Sequence, residues 1–253
     1  AQTEEGFTWI AYVGTDGDAY FSPVVNYEVD PLKFDMKERI ARVGLSRDYK
    51  RFAFVLENSS DIYIYSFDRK AWTIFEVEGR SYSTQGPGED VRRVDSVSFS
   101  VDSDQVVFDY EVCRPNPDPD YECDYVWSIG ILDVNKGFDY PFPTQSSNID
   151  VGFPRFSSVG AERITYQAWR PGTYYDVVQE VRQFDYFTGQ DERVESTGVS
   201  SSGVNLYSFG WPDYSPQDKG ITYSGSYGNV RLKELDENFG IASLYTSGNR
   251  FEW

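Results

Sequence analysis

Four carboxylates occupy alternate positions beside a cysteine pair: Asp118, Asp120, Glu122 and Asp124, with Cys113 and Cys123 bracketing a proline-rich stretch. A hard cation such as calcium takes several oxygen ligands at once, and closely spaced carboxylates supply them. Here the spacing lacks a glycine at the sixth position of a calcium loop. Alternate residues of an extended segment also point the same way and repel without a metal, so the competing reading is a solvated acidic loop tip. Asp16-Gly17-Asp18 brings two more carboxylates, but Asp-Gly reads as a hairpin turn. The cysteines either close a short disulfide loop, which implies an oxidising compartment, or remain free thiols; the sequence favours the disulfide.

A second chemistry is that of exposed aromatic anchors. Trp127 follows the cysteine loop, and Trp169, Tyr174 and Tyr175 stand around Arg170-Pro171-Gly172-Thr173. Aromatic rings next to polar groups hold protein partners and sugar faces, so these four are candidate ligand-binding residues. Tyr82, in a Ser/Gly/Pro-rich linker, is a weaker candidate. Trp9, Trp72, Trp211 and Trp253 are expected to pack structurally. Catalysis has fewer routes. With no histidine, Ser-His-Asp and Cys-His machinery and His-ligated zinc are excluded. A carboxylate pair or Tyr/Arg machinery remains, but 41 acidic residues satisfy any pair-distance rule by chance. No catalytic residue is therefore assigned. Arg92-Arg93 and the basic residues of Lys33–Arg51 read as ordinary surface charge. Ser224-Gly225-Ser226-Tyr227-Gly228 reads as a turn, since no helix follows to hold a phosphate.

The charge balance narrows the partners. Lys and Arg number 23 against 41 Asp and Glu, a net charge of −18. Such a field repels nucleic acid and anionic lipid surfaces. No apolar run reaches the ~18–20 residues of a membrane-spanning helix. Disorder is excluded by an aromatic content of 17%.

These side chains must be carried by strands. Short segments rich in aromatic and β-branched residues dominate, among them Arg51–Val55, Ile62–Tyr65, Val106–Tyr110, Arg163–Tyr166 and Gly220–Tyr223. They recur in register: Val97–Phe108, Phe153–Tyr166, Gly210–Tyr223 and, more weakly, Ala41–Phe54. Each unit is a strand ending in an apolar residue and Ser, then a polar turn, then an apolar strand. The turn Ser or Asp can satisfy local backbone N–H groups. Trp211-Pro212-Asp213-Tyr214-Ser215-Pro216 with Gly220-Ile221-Thr222-Tyr223 resembles the TolB-type β-propeller repeat, whose core is similar to Pro-x-Trp-Ser-Pro-Asp-Gly-x-x-Ile-Ala-Phe. The resemblance implies an all-β fold: one β-propeller domain of four-stranded antiparallel blades spanning residues 1–253.

Ser46, Ser100, Ser157 and Ser215 are 54, 57 and 58 residues apart. Phe251-Glu252-Trp253 matches Phe209-Gly210-Trp211, and the wrapped count places Glu4 at the next repeat position. The expectation is five blades, with the innermost strand of the first supplied by residues 249–253, which closes the ring and hides its edges. Six blades is the alternative. It would need a repeat hidden in Glu76–Arg93 or Pro115–Asp124.

The functional expectation is a non-catalytic, extracytoplasmic propeller that binds a protein or glycan, free or as a scaffold within a larger assembly. The alternative is a carbohydrate-active enzyme with carboxylates or Tyr/Arg in the central funnel. No cofactor is expected beyond the calcium considered above. The disulfide reading, together with a start that suits the residue left by signal cleavage, predicts a periplasmic or secreted protein.

Overall fold

The computed structural model describes residues 9–23, 30–77, 90–115, 123–142, 149–159, 163–171, 177–196, 210–215, 218–224, 230–235 and 241–246. Their regular elements are antiparallel strands, and none is an α-helix. The chain divides into two compact units, Ala1–Phe142 and Pro143–Trp253.

Among the described residues the first unit contains three sheets, each a meander in which successive strands pair. They are β1 (Trp9–Val13), β2 (Ala19–Pro23) and β3 (Leu32–Phe34); then β4 (Ile40–Leu45), β5 (Arg51–Leu56), β6 (Asp61–Ser66) and β7 (Ala71–Glu76); then β8 (Asp90–Phe99), β9 (Gln105–Pro115), β10 (Cys123–Asp133) and β11 (Phe138–Pro141). The described residues of the second unit form two four-stranded meanders. One is β12 (Asp150–Phe156), β13 (Arg163–Pro171), β14 (Val177–Asp185) and β15 (Asp191–Ser196). The other is β16 (Gly210–Tyr214), β17 (Gly220–Ser224), β18 (Val230–Leu235) and β19 (Ile241–Thr246).

Strand composition follows place in the sheet. The interior strand β5 is buried on both faces from Phe52 to Leu56, as its unbroken apolar run requires. The edge strand β7 is largely exposed. Phe52, Phe54, Phe34 and Ile40 fill one core of the first unit. Val94, Val97, Phe108 and Val112 fill another. In the second unit Val181, Tyr214, Ile221 and Tyr223 pack together. The Phe108 ring lies directly over Gly130, its cross-strand partner, where a Cβ would stand 2.4 Å from the ring.

The repeated Ser closes the same backbone turn in each copy, and at Ser46 and Ser100 its hydroxyl also satisfies a turn N–H as expected. In all four copies it sits between the first and second strands of its sheet, its N–H donating to the carbonyl that starts the second: Ser46 to Arg51 (2.9 Å), Ser100 to Gln105 (2.9 Å), Ser157 to Arg163 (2.8 Å) and Ser215 to Gly220 (2.8 Å). The Ser46 hydroxyl accepts from the Arg51 N–H at 2.8 Å and donates to Asp48 at 2.6 Å. Ser100 repeats this with Gln105 (3.0 Å) and Asp102 (2.5 Å). Three residues after the Ser, the backbone turns left-handed at Tyr49 (φ 55°), Ser103 (φ 64°) and Asp218 (φ 52°). Glycine usually takes that conformation, so each of these turns stores strain of about 1 kcal/mol.

Candidate functional site

The third sheet is longer than its neighbours: β8, β9 and β10 run to 10, 11 and 11 residues, against 6 for each of β4 to β7. The extra length is two-faced. Val91, Val112 and Val126 lie opposite one another across the three strands and pack into the core. On the other face Arg93, Glu111 and Trp127 form a row across the same strands. A β-bulge between Val91 and Arg93 inserts Arg92 into the ladder beside them. Arg93 stacks over the Trp127 ring at 5.0 Å and Arg92 over the Tyr125 ring at 4.7 Å. Both guanidiniums reach one oxygen of Glu111, Arg93 through Nε at 3.1 Å and Arg92 through Nη1 at 3.8 Å. The side chains of Arg92 and Arg93 remain 61% and 44% exposed, and Tyr125 is 53% exposed. The Cys113–Cys123 disulfide ties β9 to β10 at the end where the chain passes from one to the other, with the two Cα atoms 5.4 Å apart.

The second unit uses arginine differently. Arg182 on β14 donates to both oxygens of Asp191 through Nε (3.1 Å each) and again through Nη2 (2.8 Å). Its Nη1 donates to Glu180 at 2.6 Å. Arg170 Nε stands 3.0 Å and Arg193 Nη1 3.8 Å from the same Glu180. The Tyr166 hydroxyl donates to Asp191 at 2.9 Å. The Arg182 side chain is only 12% exposed. Burial alone would push its guanidinium down, but the Asp191 hydrogen bond and the surrounding negative charge outweigh that and raise it. Tyr166, Arg182 and the two carboxylates are the right types for acid–base work. They are spent on one another.

A third cluster is aromatic. Phe153 lies 5.9 Å edge-on to Trp169 and 6.1 Å from Trp211. Phe153 and Trp211 share a local design, Gly152-Phe153-Pro154 in β12 and Gly210-Trp211-Pro212 in β16. Each aromatic has a left-handed backbone (φ 52° and 47°) inside a register shift of its strand. The bulge turns the Trp211 ring outward, to 62% exposure. The structural role expected for Trp211 is thus only partial, because register alternation no longer applies at a bulge. Trp9 does pack, stacked on Phe21 at 4.5 Å, and Trp72 packs against Phe34, Phe54 and Tyr65 although it is partly exposed.

The carboxylates of the first hairpin are satisfied internally. Gly17 makes the turn with φ 89°. Asp16 accepts from Tyr20 at 2.5 Å, and Lys33 bridges Asp16 (3.2 Å) and Asp18 (2.6 Å). The Tyr20 hydroxyl first, then the Asp18 N–H and Lys33, hold the Asp16 carboxyl at about 2.

Of the residues singled out from sequence, Trp127 lies in the first unit on β10 and Trp169 in the second on β13. Asp124 is exposed on β10, opposite Arg114. Asp118, Asp120, Glu122, Tyr174, Tyr175, Tyr82 and Trp253 lie outside the described residues. Among the described residues no three His, Cys, Asp or Glu side chains are grouped as metal ligands. Among them, too, no helix is long and apolar enough to cross a membrane. Sequence reading missed the pairing of Arg92 and Arg93 with aromatic rings; the signal available was the unusual length of the flanking strand segments.

No family model matches the chain, and no curated protein does. Solved structures do. TolB from Acinetobacter baumannii is similar over 95% of this chain and 54% of its own, with TM-score 0.55 and 15% identity. The tricorn protease is similar over 95% of this chain and 30% of its own, with TM-score 0.50 and 10% identity. The chain thus spans about half of the TolB chain and under a third of the tricorn protease chain. Both are β-propeller folds, and the likeness supports a TolB-like propeller fold here.

Proposed function

We propose that the chain is a five-bladed propeller module that binds a protein or glycan partner without catalysing a reaction, outside the cytoplasm. The observation that carries the binding reading is the face of β8–β10, where arginines and aromatic rings are held in place by a sheet whose other face is in the core. Against catalysis stands the buried Tyr166–Asp191–Arg182–Glu180 network, whose groups are already bonded to one another. The Cys113–Cys123 pair suits an oxidising compartment.

Blade count and closure rest on the Ser turns. In each four-stranded sheet the Ser turn joins the first strand to the second. In the first sheet β1 follows the wrapped repeat position and lies at an edge of three strands. Residues 249–253, which lie outside the described residues, are proposed as that sheet's first strand. Deleting them is expected to destabilise the chain by exposing the β1 edge.

The reading is tested by a polysaccharide panel and a partner screen. Turnover of any polysaccharide, abolished by Asp191→Asn with the fold intact, would overturn it. Binding without turnover supports it. No cofactor is proposed, so a chelator is expected to leave the unfolding midpoint unchanged.

A further inference from the structure

We infer that the Arg92–Arg93–Tyr125–Trp127 face of β8–β10 is a docking surface for an acidic segment of a protein partner. This rests on the binding-module reading and names the partner's chemistry. Charge carries the first part. Two guanidiniums share the single carboxylate of Glu111; Asp90, opposite Cys113 in the row of Tyr125, brings the acids of these rows to two, so the attraction is that of two exposed guanidiniums rather than of a net charge. The next acid along β9, Asp109, is buried and accepts from the Ser96 N–H (2.7 Å) and hydroxyl (2.8 Å). On a chain of net charge −18, an exposed pair of arginines is a local attractor in a repelling field. An acidic partner is thereby steered to this face and disfavoured elsewhere.

Preorganisation carries the second part. Stacking on Tyr125 and Trp127 fixes two long side chains before a partner arrives, which lowers the ordering cost of binding. The core contacts of Val91, Val112 and Val126 hold the sheet from behind, and the disulfide cross-links β9 to β10 beside their connection. Arg93 engages Glu111 through Nε, and a guanidinium carries two further nitrogens with which it can grip a carboxylate.

Composition separates a protein partner from an acidic glycan. Arg, Tyr and Trp are the side chains enriched in protein interfaces. A sugar ring would need an open aromatic face, and here a face of each ring is covered by a guanidinium.

The test is a titration of the full chain with labelled octaglutamate peptide, octaglutamine peptide and octagalacturonate. Variants are Arg92→Gln/Arg93→Gln, Arg92→Lys/Arg93→Lys, and a charge-matched Lys50→Gln/Lys136→Gln control on other surfaces. Octaglutamate is expected to bind, and octaglutamine is not. The Arg-to-Gln pair should weaken octaglutamate by at least about tenfold and the control by less than about twofold. The Arg-to-Lys pair keeps the charge but loses the planar fork, and should fall between; it also carries the test if the Gln pair does not fold. No octaglutamate binding, equal loss in the Gln pair and the control, or octagalacturonate bound more tightly with the same arginine dependence would each overturn the inference. The binding-module reading falls separately, on turnover of a polysaccharide.

Discussion

Arginine does opposite work in two sheets of this molecule. On β14, Arg182 is buried, saturated by Asp191 and Glu180, and bound into a network with Tyr166. On β8, Arg92 and Arg93 lie over aromatic rings at the surface and divide one carboxylate between them. The difference lies in burial and in how fully each guanidinium is bonded. The buried Arg182 guanidinium is bonded through Nε, Nη1 and Nη2 and leaves nothing to offer a ligand; removing it strands Asp191, while Glu180 keeps Arg170 and Arg193 nearby. One carboxylate between two exposed guanidiniums leaves binding capacity at little structural cost.

The largest expected effect follows from that contrast. Arg182→Gln leaves Asp191 without its arginine and Glu180 with only Arg170 and Arg193, and should cost about 3–5 kcal/mol in denaturant unfolding. Reducing the link between Cys113 and Cys123, or replacing both by Ser, should cost about 2–3 kcal/mol, since it frees a short loop in the unfolded chain. If that variant also loses octaglutamate binding, the disulfide supports the docking face as well as the fold. Ser100→Ala removes the acceptor for the Gln105 N–H and should cost about 1 kcal/mol. Arg92→Gln/Arg93→Gln should cost under about 1 kcal/mol, because exposed stacking and exposed ion pairs contribute little.

The smallest effect is a titration in the first hairpin. Asp16 is held at about 2, below its usual 3.8, so its folded-state pKa is depressed. Its contribution is therefore present above about pH 4 and is lost as pH falls through about 2. The carboxyl carbon of Asp16 should titrate near 2 by NMR, and Tyr20→Phe should move it back toward 3.8.

Strands and turns were legible in the sequence because their signals are local. The Ser turns recur at nearly even spacing, and Ser46 and Ser100 bond as a turn Ser should. Asp16-Gly17-Asp18 forms its hairpin turn, and the Cys pair is bridged. Trp127 was singled out because it follows the cysteine loop, and the structure places it on β10 beside an arginine. That arginine was not legible: Arg93 meets Trp127 only through two strand registers and a bulge. The Tyr166–Asp191 bond spans 25 residues and was hidden for the same reason. Asp218 was hidden too. It sits in the β16–β17 turn yet accepts from the Ser157 hydroxyl and from the Ser158 and Val159 N–H groups of another sheet. Trp211 was misjudged because Gly-Trp-Pro looks like an ordinary strand start, whereas its left-handed backbone turns the ring outward.

The division of labour between the two arginine sites is tested most directly by thermal unfolding of Arg182→Gln beside Arg92→Gln/Arg93→Gln. The Arg182 variant should melt roughly 6–20 °C lower and the double variant within about 3 °C of the parent. Equal shifts, or a larger one in the double variant, would contradict the account.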